Sequence, residues 1–216
     1  MVQRKIQPKE TKANILNVAE KLFVKQGYEK TTMQEIVDIT GLAKGTIFHH
    51  FKSKEEILIS VLEAHCDRDI QVLDKWLVEV ENLNAREILT KFFDEPTPEE
   101  SSLLVKMAVS TSSPHIIVTS IKKCIEKISP IVVELIRKGI EDGSITTDFP
   151  DECAQLFLIL YTIWLDPITI ECDSEALYKR LQFIQYTMKV LGVDIVSDDF
   201  IEHSMKFAEN LYKNKE

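Results

Sequence analysis

Cysteine is sparse and unpatterned in this chain: Cys66, Cys124, Cys153 and Cys172 stand far apart among 216 residues, with no CxxC pair. That spacing excludes a disulfide framework and a zinc site, and it predicts buried thiols in a reducing cytosol. Long apolar runs are missing as well. The longest, Leu156 to Leu165, falls far short of the ~20 residues that a bilayer requires. The opening MVQRKIQPKE is polar where a secretory signal is apolar, so the cytoplasm is the expected location and no membrane partner is expected. No internal repeat, low-complexity tract or convincing strand appears, and GxSxG, HExxH, P-loop and dinucleotide fingerprints are all absent. Catalysis therefore has little support, and neither a cofactor nor a resident metal is expected.

What is present reads as helix from end to end. A first helix over about Pro8 to Gln26 has Ile15, Leu16, Ala19, Leu22 and Phe23 on one face and stops at Gly27. A long helix runs from Ser53 to about Val80, with Leu58, Val61, Leu62, Leu73, Trp76, Leu77 and Val80 along one stripe. Further helices are expected at about 85–94, 98–112, 114–142, 151–165, 174–191 and 197–213. Pro130 should kink or divide the third of these segments. The fold class is all-α.

The segment Thr31 to Lys54, TTMQEIVDITGLAKGTIFHHFKSK, carries the most specific signal. Thr31 or Thr32 can cap a helix with Gln34 or Glu35 three residues on, and Met33, Ile36, Val37 and Thr40 then form its inward stripe. Gly41 supplies the left-handed turn, and Leu42 plugs the angle between two helices. On the second helix Ala43, Ile47 and Phe51 face the first. Lys44, Gly45, Thr46, Phe48, His49 and His50 are left wholly or partly outward, a set rich in donors and short of acids. Such a face suits a helix that enters the major groove of duplex DNA. Ser53 then caps the next helix with Glu56 in the box. Lys54 in its first turn adds an ammonium to the positive helix end, where a phosphate can be held.

The run TKANILNVAEKLFVKQGYEKTTMQEIVDITGLAKGTIFHHFKSKEEIL resembles the N-terminal domain of the tetracycline-repressor (TetR) family of transcriptional regulators. The resemblance implies that Thr31 and Thr32 touch the phosphate backbone, that Lys44, Thr46 and His49 lie on the recognition helix, and that Phe48, His50 and Lys54 flank or bind phosphates. Two positions depart from the family. Phe48 stands where tyrosine is usual and cannot donate to a phosphate, so a sugar or a thymine methyl is its expected contact. Val37 replaces a smaller alanine, which implies a slightly wider helix crossing.

Charge divides along the chain. Residues 1–65 carry a net of +2 and the remainder −11, making −9 in all. A locally basic head, helped by Arg4, Lys5, Lys9 and Lys12, can neutralise phosphates while an acidic body stays clear of the duplex. We expect a DNA-binding domain over 1–56 joined by the long helix to an effector-binding and dimerisation domain over 57–216. Leu177, Leu181, Ile184, Met188 and Leu191 repeat as a heptad, and with Leu156 and Leu160 of the preceding apolar run they are the expected homodimer seam. An effector, apolar or cationic, is expected among His65, Asp69, Phe92, Phe93, Met107, His115, Cys124, Phe157, Tyr161 and Trp164. The expected function is a homodimeric, ligand-responsive repressor of a palindromic operator in double-stranded DNA. Two alternatives are a DNA-bound scaffold whose body binds a protein, and an all-helical enzyme using a metal or cofactor at His65 and Asp69.

Overall fold

The computed structural model describes residues 8–94, 113–165, 170 and 172–213. Among these residues every regular element is helical. They are α1 (Pro8–Gln26), α2 (Met33–Thr40), α3 (Lys44–His50), α4 (Lys54–Glu79), α5 (Ala85–Asp94), α6 (Pro114–Asp142), α7 (Pro150–Ile159), a π-helical turn (Leu160–Trp164), α8 (Ser174–Val190) and α9 (Asp198–Lys213). The expected helix over 98–112, with Met107, lies outside the described residues, as do Arg4 and Lys5. No described helix is long and apolar enough to cross a membrane.

Two compact units divide the chain, one of Met1–Asp69 with Pro98–Ser120 and the other of Ile70–Thr97 with Ile121–Glu216. The first reaches past residue 56 because the opening turns of α4 belong to its core: Ile57, Leu58 and Val61 are buried with Ile15, Ala19, Leu22 and Phe23 of α1, Ile36 of α2, Ile47 of α3 and Phe51. Burial of such side chains stabilises by roughly 1.5–3 kcal/mol each, and it fixes α2 and α3 on a rigid base.

In the second unit the core gathers Ile88 and Leu89 of α5, Val132, Val133, Leu135 and Ile136 of α6, Phe157 and Leu158 of α7, and Phe200 and Ile201 of α9. The heptad of α8 joins this core, which corrects the expected dimer seam. Leu177, Leu181, Ile184 and Met188 are 0–2% exposed within their own protomer, and Leu160 and Leu191 pack partly buried against them. Leu156, by contrast, faces outward. Leu177, Leu181, Ile184 and Met188 are satisfied by helices of the same unit and leave no surface for a second copy.

Two further expectations are narrowed or changed. Of the two outcomes expected at Pro130, division does not occur: α6 runs through it as one helix, and the exposed position leaves the carbonyl freed one turn earlier open to solvation. The apolar run after Pro150 does not remain α-helical to Leu165. It widens into the π turn, closed by the Leu165 N–H donating to the Leu160 carbonyl at 2.9 Å.

Candidate nucleic-acid interface

The geometry of the first unit begins in the loop between α1 and α2. Thr32 is the N-cap of α2: its hydroxyl accepts from the Glu35 N–H at 3.2 Å, while the Glu35 carboxylate accepts from the Thr32 N–H at 2.8 Å. The Thr32 hydroxyl also donates to Glu35 at 2.8 Å. A second arm reaches Glu35 from α1, where the Gln26 amide donates at 3.1 Å. The carboxyl of Glu35 is held below its usual range, first by the Gln26 amide, then by the Thr32 N–H and hydroxyl, with the Lys54 charge adding to them. Thr31 plays a different part. It is 1% exposed and its hydroxyl donates to the Gly27 carbonyl at 2.8 Å, so that side chain ties the loop together and is not presented to a phosphate. This corrects the role implied for Thr31, whereas Thr32 lies exposed.

Gly41 ends α2 in the left-handed conformation, φ 66°, which a side chain would strain. Its N–H donates to Val37, and Thr40 folds its hydroxyl back onto the carbonyls of Ile36 and Val37. Leu42 packs half-buried into the head core, as the turn requires. α3 follows, with Ile47 buried and Phe51 sealing its end. Ala43 does not join them: it is the exposed N-cap residue of α3, one turn too early to reach the core.

The outward face of α3 is the predicted one. Lys44, Gly45 and His49 are exposed, Thr46, Phe48 and His50 are half-buried, and the helix carries no acid. A Cβ added at Gly45 would meet nothing within 4 Å, so the backbone there stands open to an approaching surface. The Lys44 ammonium lies 5.7 Å from the centroid of the Phe48 ring, and the His49 and His50 rings meet edge to face at 5.7 Å. Lys52, which sequence reasoning passed over, donates to the Phe48 carbonyl at 2.9 Å and places a cation at the negative end of α3. Lys12 of α1 sits 5.7 Å from the Phe51 ring centroid.

Ser53 caps α4 as expected, accepting from the Glu56 N–H at 3.1 Å, but Glu56 answers to the Lys52 N–H at 2.7 Å. Lys54 departs further. Its ammonium donates to the Tyr28 carbonyl at 2.7 Å and the Thr31 carbonyl at 2.9 Å, with Glu29 at 3.4 Å. The Tyr28 ring covers it, 4.1 Å from nitrogen to centroid. Tyr28 and Gln26 were not foreseen; the only local sign was their position around Gly27, where α1 must stop and turn.

The expected effector residues fall in both units. In the first, His65 Nδ1 meets the Arg68 guanidinium at 2.9 Å, His65 Nε2 lies 3.8 Å from Asp69, and Arg68 pairs with Glu20 of α1 at 2.6 Å. His115 is exposed, 3.5 Å from the Thr119 hydroxyl. In the second unit Phe93 is the hub of an aromatic cluster, with ring centroids 4.9 Å from Phe92, 4.5 Å from Phe157 and 6.1 Å from Tyr161. Trp164 stands over Phe183 and under the Arg180 guanidinium. The Cys124 side chain and Met107 lie outside the described residues. Among the described residues no group of three or more His, Cys, Asp or Glu side chains is placed to hold a metal ion.

Comparison with known proteins places this geometry. Residues 15–61 match the family model of bacterial regulatory proteins, tetR family. The HTH-type transcriptional regulator QacR of Staphylococcus aureus is 45% identical over 51 residues, 24% of this chain and 27% of QacR. TtgR of Pseudomonas putida, also an HTH-type transcriptional regulator, is 37% identical over 65 residues, 30% of this chain and 31% of TtgR. The chain thus spans about a third of the length of these curated relatives. Over nearly the whole length the fold is that of RolR, solved with resorcinol, at 16% identity with a TM-score of 0.61, covering 93% of this chain and 96% of RolR. The regulator FadR of Bacillus subtilis, solved with stearoyl-CoA, gives a TM-score of 0.54 at 19% identity over 92% of this chain and 96% of FadR.

Proposed function

We propose that this chain, whose residues 15–61 match the tetR family of bacterial regulatory proteins, is a homodimeric transcriptional repressor of that family. It binds a palindromic operator and leaves it when a small molecule occupies the body. The observation that carries this reading is the outward face of α3. Lys44, Gly45, Thr46 and His49 present donors without an acid on a short helix whose other face is locked by Ile47. One such helix enters one major groove, and a two-fold partner sets the second about 34–36 Å away. Thr32, Phe48 and His50 border that face and contact the sugar-phosphate backbone or a thymine methyl.

The second copy docks on the outer sides of α7 and α8, two helices that pack against each other. Leu156 and Ile159 of α7 and Phe183, Tyr186 and Val190 of α8 are large apolar side chains, each at least 36% exposed. On α8 the three lie within about 60° of arc, and an apolar strip of that kind marks an interaction surface. The effector is apolar or cationic and bears on the aromatic residues of the second unit, Phe92, Phe157, Tyr161 and Trp164. The net of −11 outside residues 1–65 disfavours a polyanion, so an aromatic ligand such as RolR carries is a nearer guide than the acyl-coenzyme A of FadR.

Selection from random duplexes tests the reading. The purified protein should enrich a palindrome whose half-sites are centred about one helical turn, or a multiple, apart. Lys44→Ala should relax the preference at one position of each half-site, by about 1–3 kcal/mol. Failure to enrich any duplex sequence would remove the proposal.

A further inference from the structure

The first turn of α4 holds a cation that the outward face of α3 does not use. We propose that Lys54 is a positioning residue for DNA binding. Its ammonium latches the loop between α1 and α2, sets the start of α2, and makes no phosphate contact of its own. This rests on the DNA-binding reading above and goes beyond it in assigning that side chain an internal partner.

The stereochemistry carries the assignment. An ammonium has three hydrogens and no acceptor, and here three carbonyls of one loop converge on it: Tyr28 at 2.7 Å, Thr31 at 2.9 Å and Glu29 at 3.4 Å. The Tyr28 ring closes a further side at 4.1 Å. A phosphate could be reached only by giving up these bonds and uncovering the ring. The carbonyls in turn belong to a segment that carries internal hydrogen bonds of its own. The Thr31 N–H donates to the Tyr28 carbonyl and the Thr31 hydroxyl to Gly27, while Gln26 donates to the Thr31 hydroxyl and to Glu35. Thr32, the next residue, caps α2. The Tyr28, Glu29 and Thr31 carbonyls thus converge on Lys54, the Tyr28 carbonyl being shared with the Thr31 N–H. Removing the ammonium leaves converging carbonyl dipoles that repel one another, and the cap of α2 loses its fixed base.

The test compares Lys54→Met and Lys54→Arg with the unaltered protein, each at a temperature where it is fully folded. Without DNA, amide exchange at Thr31 and Thr32 should speed up about 10-fold or more in Lys54→Met. Affinity for the selected duplex should fall by a similar factor, while the slope of log affinity against log salt stays that of the wild type. Lys54→Arg keeps the charge but cannot bring its planar fork onto three converging carbonyls, so it should restore affinity only in part. A slope shallower by about 0.9 would mean a lost phosphate contact and would overturn the proposal. So would unchanged exchange, or folded variants that bind as tightly as wild type. If Lys54→Met does not fold, the wild-type lysine decides. Its ε-carbon resonance should stay in place when duplex is added, and movement of that resonance with saturation would overturn the latch. Because exchange is read without DNA, a protein that selects no duplex refutes the regulatory reading and still reports on the latch.

Discussion

Glu35 receives its hydrogen bonds from two elements, the Gln26 amide at the end of α1 and the Thr32 cap of α2, so its charge is tied to the geometry of the helix-turn-helix. Because the folded carboxyl titrates below its unfolded value, the stabilisation is fully present above the unfolded carboxylate range, near pH ~4.3. It is lost as pH falls from there through the folded value. Denaturant unfolding of Glu35→Gln between neutral and acid pH should show a variant weaker than wild type at neutrality and converging on it in acid. A constant gap across the range would show that the charge contributes nothing. Asp142 is likewise held low, by Ser144 and the Ala85 N–H, so acid sensitivity will persist in part. The Thr32 box was legible in the sequence because its partners are three residues apart. The latch at Lys54 was not, since its partners are backbone carbonyls 23 to 26 residues earlier and carbonyls leave no mark on residue identity.

At the scale of the element, α8 shows why a periodic pattern can point to the wrong face. Leu177, Leu181, Ile184 and Met188 form one apolar stripe, and Phe183, Tyr186 and Val190 form another on the opposite side. Periodicity finds both; only the surrounding helices decide which is covered within the protomer. The consequence is a pair of contrasting variants. Leu181→Ala, at a fully buried position, should cost about 2–5 kcal/mol and lower the melting temperature by several degrees. Tyr186→Asp, where the side chain is 68% exposed, should leave the protomer folded and sediment as a monomer. A Tyr186→Asp protein that remains dimeric would place the interface elsewhere. The helix-turn-helix was legible for the opposite reason: Gly41, the cap and the four-residue spacing of Ile47 and Phe51 admit one packing only. The π turn over Leu160–Trp164 was hidden, because an extra residue per turn has no signature in an apolar run.

Across the whole molecule the proposal requires that effector and operator oppose each other through one equilibrium. A saturating effector should raise the melting temperature of the free protein and lower operator affinity by a factor of about 5 to 150; saturating operator must weaken the effector by the same factor. Titrations followed by Trp76 and Trp164 fluorescence, with and without duplex, measure both legs, and unequal factors would rule out a shared two-state equilibrium. The charge division into +2 and −11 was plain from the sequence. The identity of the effector was not, because rings such as Phe93, Phe157 and Tyr161 read alike as core or as wall.

Gly45 turns this into a question of what the fold could do without. A methyl group at that position would meet open space, and glycine is a poorer helix former than alanine, by at most roughly 1 kcal/mol at this first-turn position, so nothing in the free protein asks for it. Gly45→Ala should therefore melt higher than the wild type while holding DNA less tightly, the methyl standing where a base edge or phosphate must approach. A population propagated for heat tolerance alone would shed this glycine, and one propagated for gene silencing would keep it. A variant that gained both properties would show that α3 lies farther from the duplex than its open backbone implies.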